Sequence, residues 1–283
     1  MTESAPGDEA APVLLARPMP DVASQVDHRG ITIHKVGVRE IHLPIRIRQK
    51  AGGYARVLGR IDVSVELAEY KRGTHMSRFV EVLHRWARQP VTSAVVGDIL
   101  SEIARVFGAR RAELVLHFKY FLDKRAPASG IVSSLDYDCE FHGTIEDGQY
   151  VFTLGVTVPV MTLCPCSKEI SLRNAHSQRA EVKVHLRTAP GHIAWIEDLI
   201  PLIEAQGSSG LFPILKRADE KAVTESAYDH PKFVEDVVRD TILALRTLES
   251  AEWYSAECVS FESIQNHDAY AFAAEGRETP EAD

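Results

Sequence analysis

Alternation with a two-residue period is the feature of this chain that most narrows its fold. Val63, Val65 and Leu67 alternate with Asp62, Ser64 and Glu66, and Leu135, Tyr137, Cys139 and Phe141 alternate with Asp136, Asp138, Glu140 and His142. Successive strand side chains point to opposite faces, so each run is a strand with one apolar and one polar side. Such strands build an antiparallel sheet covered on one face only. The pattern predicts strands over residues 31–48, 61–70, 113–121, 133–145, 150–161, 179–187 and 253–264, with Asp147-Gly148 as the hairpin turn between the fourth and fifth.

Helical spacing interrupts the alternation twice. Phe79, Val80, Leu83 and Trp86 form an apolar stripe that ends before Pro90. Val96, Ile99, Leu100, Ile103 and Phe107 form another, opening at Thr92 or Ser93 and stopping at Gly108. Further on, a helix is predicted over residues 193–205, a flexible break over 207–210, and a long helix after Asp229. That helix takes Pro231 in its first turn and carries Val234, Val237, Val238, Ile242 and Leu245 on its apolar side. The chain therefore reads as two passages of strand pair, helix pair and strand pair, over residues 31–148 and 149–273. Together they make one α+β domain of residues 21–273, with helices on one face of the sheet. The tails at 1–20 and 274–283 are expected to be disordered.

Composition removes several function classes. The 40 acidic and 32 basic side chains leave a net charge of −8, which disfavours a nucleic-acid partner. A small phosphorylated ligand needs only a few placed cations. Cys139, Cys164, Cys166 and Cys258 are too few and too scattered for a disulfide framework. No apolar stretch reaches the roughly 18 residues of a membrane span. The first twenty residues lack the basic start and apolar core of a signal peptide. The expectation is a cytoplasmic protein with no membrane partner.

The densest chemical signal is residues 163–171, LCPCSKEIS, followed by NAHSQR at 174–179, directly after an apolar strand. In an extended segment Cys164 and Cys166 point the same way, and Lys168 lies close enough in sequence to favour a thiolate. A thiolate and the imidazole of His176, ten to twelve residues on, can meet across a loop and share a metal. A bare Cys-x-Cys is more often a pair of small buried apolar residues, but the polar neighbours here argue against that.

These motifs resemble the signature of the type IB GTP cyclohydrolases, and other segments agree in matching order. Residues 71–79 (KRGTHMSRF), 215–221 (LKRADEK) with 223–225 (VTE), 231–236 (PKFVED) and 261–264 (FESI) resemble that family's blocks across about residues 20–273. The resemblance implies a tunnelling fold, in which tandem antiparallel-sheet units with helix pairs on one face assemble into a barrel around a central channel. It implies a homotetramer with sites between subunits, and hydrolysis of GTP to 7,8-dihydroneopterin triphosphate and formate, opening folate and pterin synthesis. It further implies a divalent metal (zinc, iron or manganese) held by Cys164, His176 and Glu220, with Cys166 as a second thiol for proton transfer or ligation. Glu235 is the implied general acid/base and Glu262 the acceptor for the guanine edge. Arg78, Arg179, Lys216 and Arg217 are implied for the triphosphate.

Each residue has a plainer reading as well. Glu235 lies four residues before Arg239, as in an ordinary helix-surface pair, and Glu220 lies in a charged run of the kind that faces solvent. The chain also departs from the family, which commonly reads ESIHxHDA, whereas here Gln265 precedes Asn266 and His267. The fourth metal position then falls to His267, to Gln265 or to water. Two rivals follow. A nitrile reductase of queuosine synthesis shares the fold, a cysteine and an acidic anchor, but needs NADPH, and its basic–aromatic cofactor motif is missing here. A metal- or purine-binding tunnelling-fold protein without cyclohydrolase activity is the rival to which the lost histidine points.

Overall fold

Ten strands form one sheet in the computed structural model, which describes residues 21–276. Of the predicted tails at 1–20 and 274–283, residues 1–20 and 277–283 lie outside the described residues. The first half comprises β1 (Ile33–Arg48), β2 (Tyr54–Leu67), α1 (Met76–Trp86), β3 (Pro90–Val91), α2 (Ser93–Phe107), β4 (Arg111–Arg125) and β5 (Val132–Glu146). The second comprises β6 (Gln149–Leu163), α3 (Pro165–Ile170), β7 (Ser177–Thr188), α4 (Ile196–Glu204), β8 (Ser209–Gly210), α5 (Arg217–Asp229), α6 (Val234–Leu245), β9 (Ala251–Ser260) and β10 (Ala269–Gly276). The sheet runs β10-β9-β7-β6-β5-β4-β2-β1-β3, with β8 attached to β6. The four long strands of each half thus lie in chain order on either side of the β5–β6 hairpin. Its turn residues Asp147 and Gly148 have φ of 50° and 81°, the left-handed region that a two-residue hairpin requires. All long strands pair antiparallel, and only β3 runs parallel, to β1.

One face of the sheet carries the core. Ile61, Val63 and Val65 of β2, Leu114, Leu116 and Phe118 of β4, Leu154, Val156 and Val158 of β6, and Val182 and Val184 of β7 form a single buried cluster. Val96, Ile99, Leu100 and Ile103 of α2 join it, as do Val237, Val238 and Ile242 of α6. Each such side chain contributes roughly 1.5–3 kcal/mol when fully buried. α2 begins where the Thr92 side chain accepts from Val95 N and ends at Gly108, whose φ is 55°.

The other face is polar. A register row crosses it through Arg60, His117, Glu140, Gly155, His185 and Ser255. Glu140 sits 3.4 Å from His117 Nδ1 and 3.9 Å from His185 Nε2. It reaches His185 across β6 because Gly155 has no side chain between them; a Cβ there would lie 3.1 Å from both neighbours. Burial pushes the pKa of both imidazoles down.

Several expectations need correction. Residues 207–210 are not a flexible break, since Ser209 and Gly210 pair with Met161 and Val160. A Cβ on Gly207 would lie 2.7 Å from that of Val160, so close approach explains this glycine. The long helix starts at Val234, leaving Pro231 ahead of it, and α4 starts at Ile196 rather than 193. The last predicted strand ends at Ser260, and β10 follows it to Gly276, so residues 274–276 belong to the sheet and not to a tail. α5 and α3 are helices where none was predicted.

Candidate functional site

β6 runs directly into Cys164, which caps α3. Its Sγ accepts from Ser167 N at 3.4 Å, and Ser167 Oγ donates to its carbonyl at 3.1 Å. Pro165 stands in the first turn, where its missing N–H removes no helical bond. His176 returns beside it: Cys164 N donates to His176 O at 3.1 Å, and His176 N donates to Ser167 Oγ at 3.2 Å. Backbone and cap bonds therefore hold these two candidate ligands together. The extended segment expected across Cys164 and Cys166 does not form: Cys164 keeps an extended backbone as the N-cap, and α3 begins at Pro165. Cys166 is exposed and Cys164 half-buried. Lys168 donates to Tyr228 O and lies 4.1 Å from the Tyr228 ring centroid, so its ammonium serves the α3–α5 contact rather than the thiol.

A polar network extends from His176 across three strand ends. His176 Nδ1 is 3.0 Å from Gln178 Oε1. Gln178 Nε2 donates to Glu262 Oε1 at 3.2 Å and to Ser260 Oγ at 3.1 Å, and Ser260 Oγ is 3.1 Å from Thr162 Oγ1. His176 Nδ1 and Glu262 Oε2 stand 3.8 Å apart, beyond hydrogen-bond reach, so the amide is the bridge. The two side chains are 16% and 13% exposed. Gln178 is a candidate position that was not among the sequence-predicted site residues. Its spacing of two from His176 on a strand, which puts both on one side, was the available signal.

The remaining candidates gather at the same end of the sheet, with one exception. Lys232 N donates to Leu163 O at 3.0 Å, which lays the segment entering α6 beside the residue before Cys164. Glu235 is exposed in the first turn of α6. Arg239 pairs with Asp236 at 3.3 Å, so the plainer helix-surface pair with Glu235 does not form. The Cys258 thiol is pushed up to about 12 by burial and then by the negative charge of Glu235, which brings that carboxylate near β9 two residues before Ser260. Lys216, Arg217 and Glu220 are exposed around the start of α5, which Asp219 fastens to the β4–β5 turn by accepting from Ala128 N and Ser129 N at 2.8 and 2.7 Å. Arg179 is exposed near the start of β7, and its carbonyl accepts from Phe261 N at 2.9 Å. Gln265 and His267 are exposed in the connection from β9 to β10. Arg78 is the exception. α1 follows the end of β2, where Val65 faces Ala112, and this is the sheet end of the Asp147-Gly148 hairpin, opposite Cys164.

The donor chemistry fits a divalent metal in part. Cys164 supplies a half-buried sulfur, and His176 has Nδ1 engaged by Gln178, so that Nε2 would be the atom to bind a metal. Among the described residues no three His, Cys, Asp or Glu side chains already converge as a metal shell. Glu220 and His267 are thus at the right end of the sheet without closing on the pair.

Residues 19–271 match the family described as type I GTP cyclohydrolase folE2. The GTP cyclohydrolase FolE2 of Geobacter sulfurreducens is 46% identical over 253 residues, covering 89% of this chain and 96% of that protein. That of Pseudothermotoga lettingae is 44% identical over 260 residues, covering 92% of this chain and 100% of that protein. Among solved structures, uricase from Arthrobacter globiformis superposes with a TM-score of 0.56 at 10% identity, covering 88% of this chain and 96% of that one. Urate oxidase from Bacillus sp. TB-90 gives 0.51 at 6% identity, covering 87% and 100%. These structural likenesses show the tunnelling fold and, at such identity, the fold alone.

Proposed function

The chain belongs to the type I GTP cyclohydrolase FolE2 family, the type IB cyclohydrolases, and from that premise we propose that it hydrolyses GTP to 7,8-dihydroneopterin triphosphate and formate, the first step of folate biosynthesis. The observation that carries this reading is the Cys164–His176–Gln178–Glu262 assembly at one sheet end, inside the matched stretch.

The roles follow from placement. Glu262 presents carboxylate oxygens, which only accept, to the N1–H and exocyclic amine of guanine. Lys216 and Arg217 around the start of α5, and Arg179 on β7, face solvent at the same end, where they meet the triphosphate. Glu235 has no ion-pair partner among the described residues, so it is available to accept a proton from the water that adds at C8. It then returns that proton to the nitrogen released when the C8–N bond breaks. Cys166, exposed on α3, is a second proton carrier at the mouth. Cys164 and His176, with Glu220 and His267 as further candidates, would hold zinc, iron or manganese, which when bound supplies Lewis acidity for the addition of water.

A homotetramer accords with two further features. Among the described residues β10 is an open edge of the sheet and the β1 edge is covered only by the two-residue β3, and Tyr270 and Phe272 on β10 are 72% and 59% exposed. Arg78, at the far sheet end, reaches a triphosphate only in a neighbouring copy. A cytoplasmic setting keeps the two site thiols reduced, and among the described residues no helix is long and apolar enough to cross a membrane.

The test is incubation of the full chain with GTP and manganese, iron or zinc under reducing conditions. Formate and, after oxidation, fluorescent neopterin are the expected products. GTP binding without formate would move the protein to the non-catalytic purine-binding reading.

A further inference from the structure

Among the described residues Gln178 is the side chain that bonds both His176 and Glu262. Its orientation is forced. A carboxylate oxygen only accepts, so the amide nitrogen must face Glu262, and the amide oxygen therefore faces His176. That arrangement requires the hydrogen of His176 on Nδ1 and turns the Nε2 lone pair outward. The Ser260 hydroxyl accepts from the amide and is itself bonded by the Thr162 hydroxyl, both residues being almost wholly buried.

We propose that Gln178 is a positioning residue that couples the two ligands of the site, so that a metal on His176 and a guanine on Glu262 strengthen each other's binding. The proposal rests on the metal and guanine roles assigned above. A metal bound at Nε2 would make Nδ1–H a stronger donor, so that its bond to Gln178 Oε1 would polarise the amide and its N–H₂ would hold Glu262 Oε1 more firmly. Glu262 is left with its other acceptor positions fixed toward the purine edge. Linkage makes the effect reciprocal.

The experiment uses the full chain, zinc or manganese alone, and 7-deazaguanosine, which keeps the N1–H and amine edge but offers no N7 to the metal and cannot undergo imidazole opening. Wild-type protein should bind 7-deazaguanosine about fivefold or more tightly with metal than without it. Gln178→Met should lower metal affinity about tenfold or more and bring that ratio close to one. Gln178→Glu keeps an acceptor for His176 but sets a carboxylate against Glu262, so metal binding should hold while 7-deazaguanosine binding falls. Selective loss of one ligand in Gln178→Glu with the other kept is not what a loss of folding produces, and thermal melting of each variant checks that directly. A wild-type ratio near one, a Gln178→Met protein that keeps the wild-type ratio, or a Gln178→Glu protein weakened equally for both ligands would each overturn the coupling. Cys164→Ala separates this from failure of the site reading: if it binds metal as well as wild type, the ligand assignment itself is wrong.

Discussion

Asp219 is fully buried, and its oxygens accept from the backbone of Ala128, Ser129 and Lys216 and from the Ser129 hydroxyl, all at 2.7–2.8 Å. Burial alone would raise its pKa, but the Ser129 backbone and hydroxyl, then the backbone of Lys216 and Ala128, outweigh it and hold the carboxyl well below its ordinary 3.8. A carboxyl depressed on folding contributes stability above its unfolded pKa, and that contribution fades as pH falls below about 4 toward the folded value. Asp219→Asn should therefore melt lower than wild type at neutral pH and show a flatter decline between about pH 4 and pH 2, read from melting temperature against pH. Parallel acid limbs would deny Asp219 this part. Cys164 and His176 stood out in the sequence because they share one dense polar motif, and their roles, with that of Glu262, were read through the family resemblance. Gln178 and Asp219 were not legible, because their meaning lies in partners 84 and 90 residues away. A lone glutamine carries no signal, and an aspartate in a charged run looks solvated until a distant turn closes over it.

At the scale of elements, the long strands and the two stripe-bearing helices of the first half could be read directly, since each buries its apolar positions on a single face. The short or polar elements could not. α5 buries only Asp219, Val223 and Ala227, too thin a stripe to stand out from its charges, and β10 is rich in alanine. β8 is two residues long and exists because Gly207 lets the chain close on β6, after which Ser208 N donates to Met161 O at 2.8 Å and Ser208 Oγ accepts from Leu163 N at 3.2 Å. Those bonds brace the residue before Cys164. Gly207→Val overfills this contact and should cost about 1–3 kcal/mol in urea unfolding. An unchanged midpoint would show that residues 207–210 do not press on β6.

For the whole molecule, a ten-stranded sheet whose edge strand β10 is unpaired among the described residues, and whose β1 edge is covered there only by the two-residue β3, is the dominant fact, because long exposed strand edges invite pairing with another chain. Light scattering should give four times the 31.4 kDa of one chain. Phe272→Glu, on the exposed edge strand, should shift that mass downward at micromolar concentration while circular dichroism stays unchanged. A stable, active monomer in the wild type would refute the assembly. The barrel implied by the motifs was legible only through the family resemblance, since nothing in one chain's alternation says how many copies close a ring. The two sheet ends also differ in what they can tolerate. The reactive groups crowd the end reached by β6, whereas the Asp147-Gly148 turn protrudes, exposed, from the other. A fluorophore or affinity handle inserted at that turn would report on the protein from the end of the sheet opposite its own Cys164 and His176.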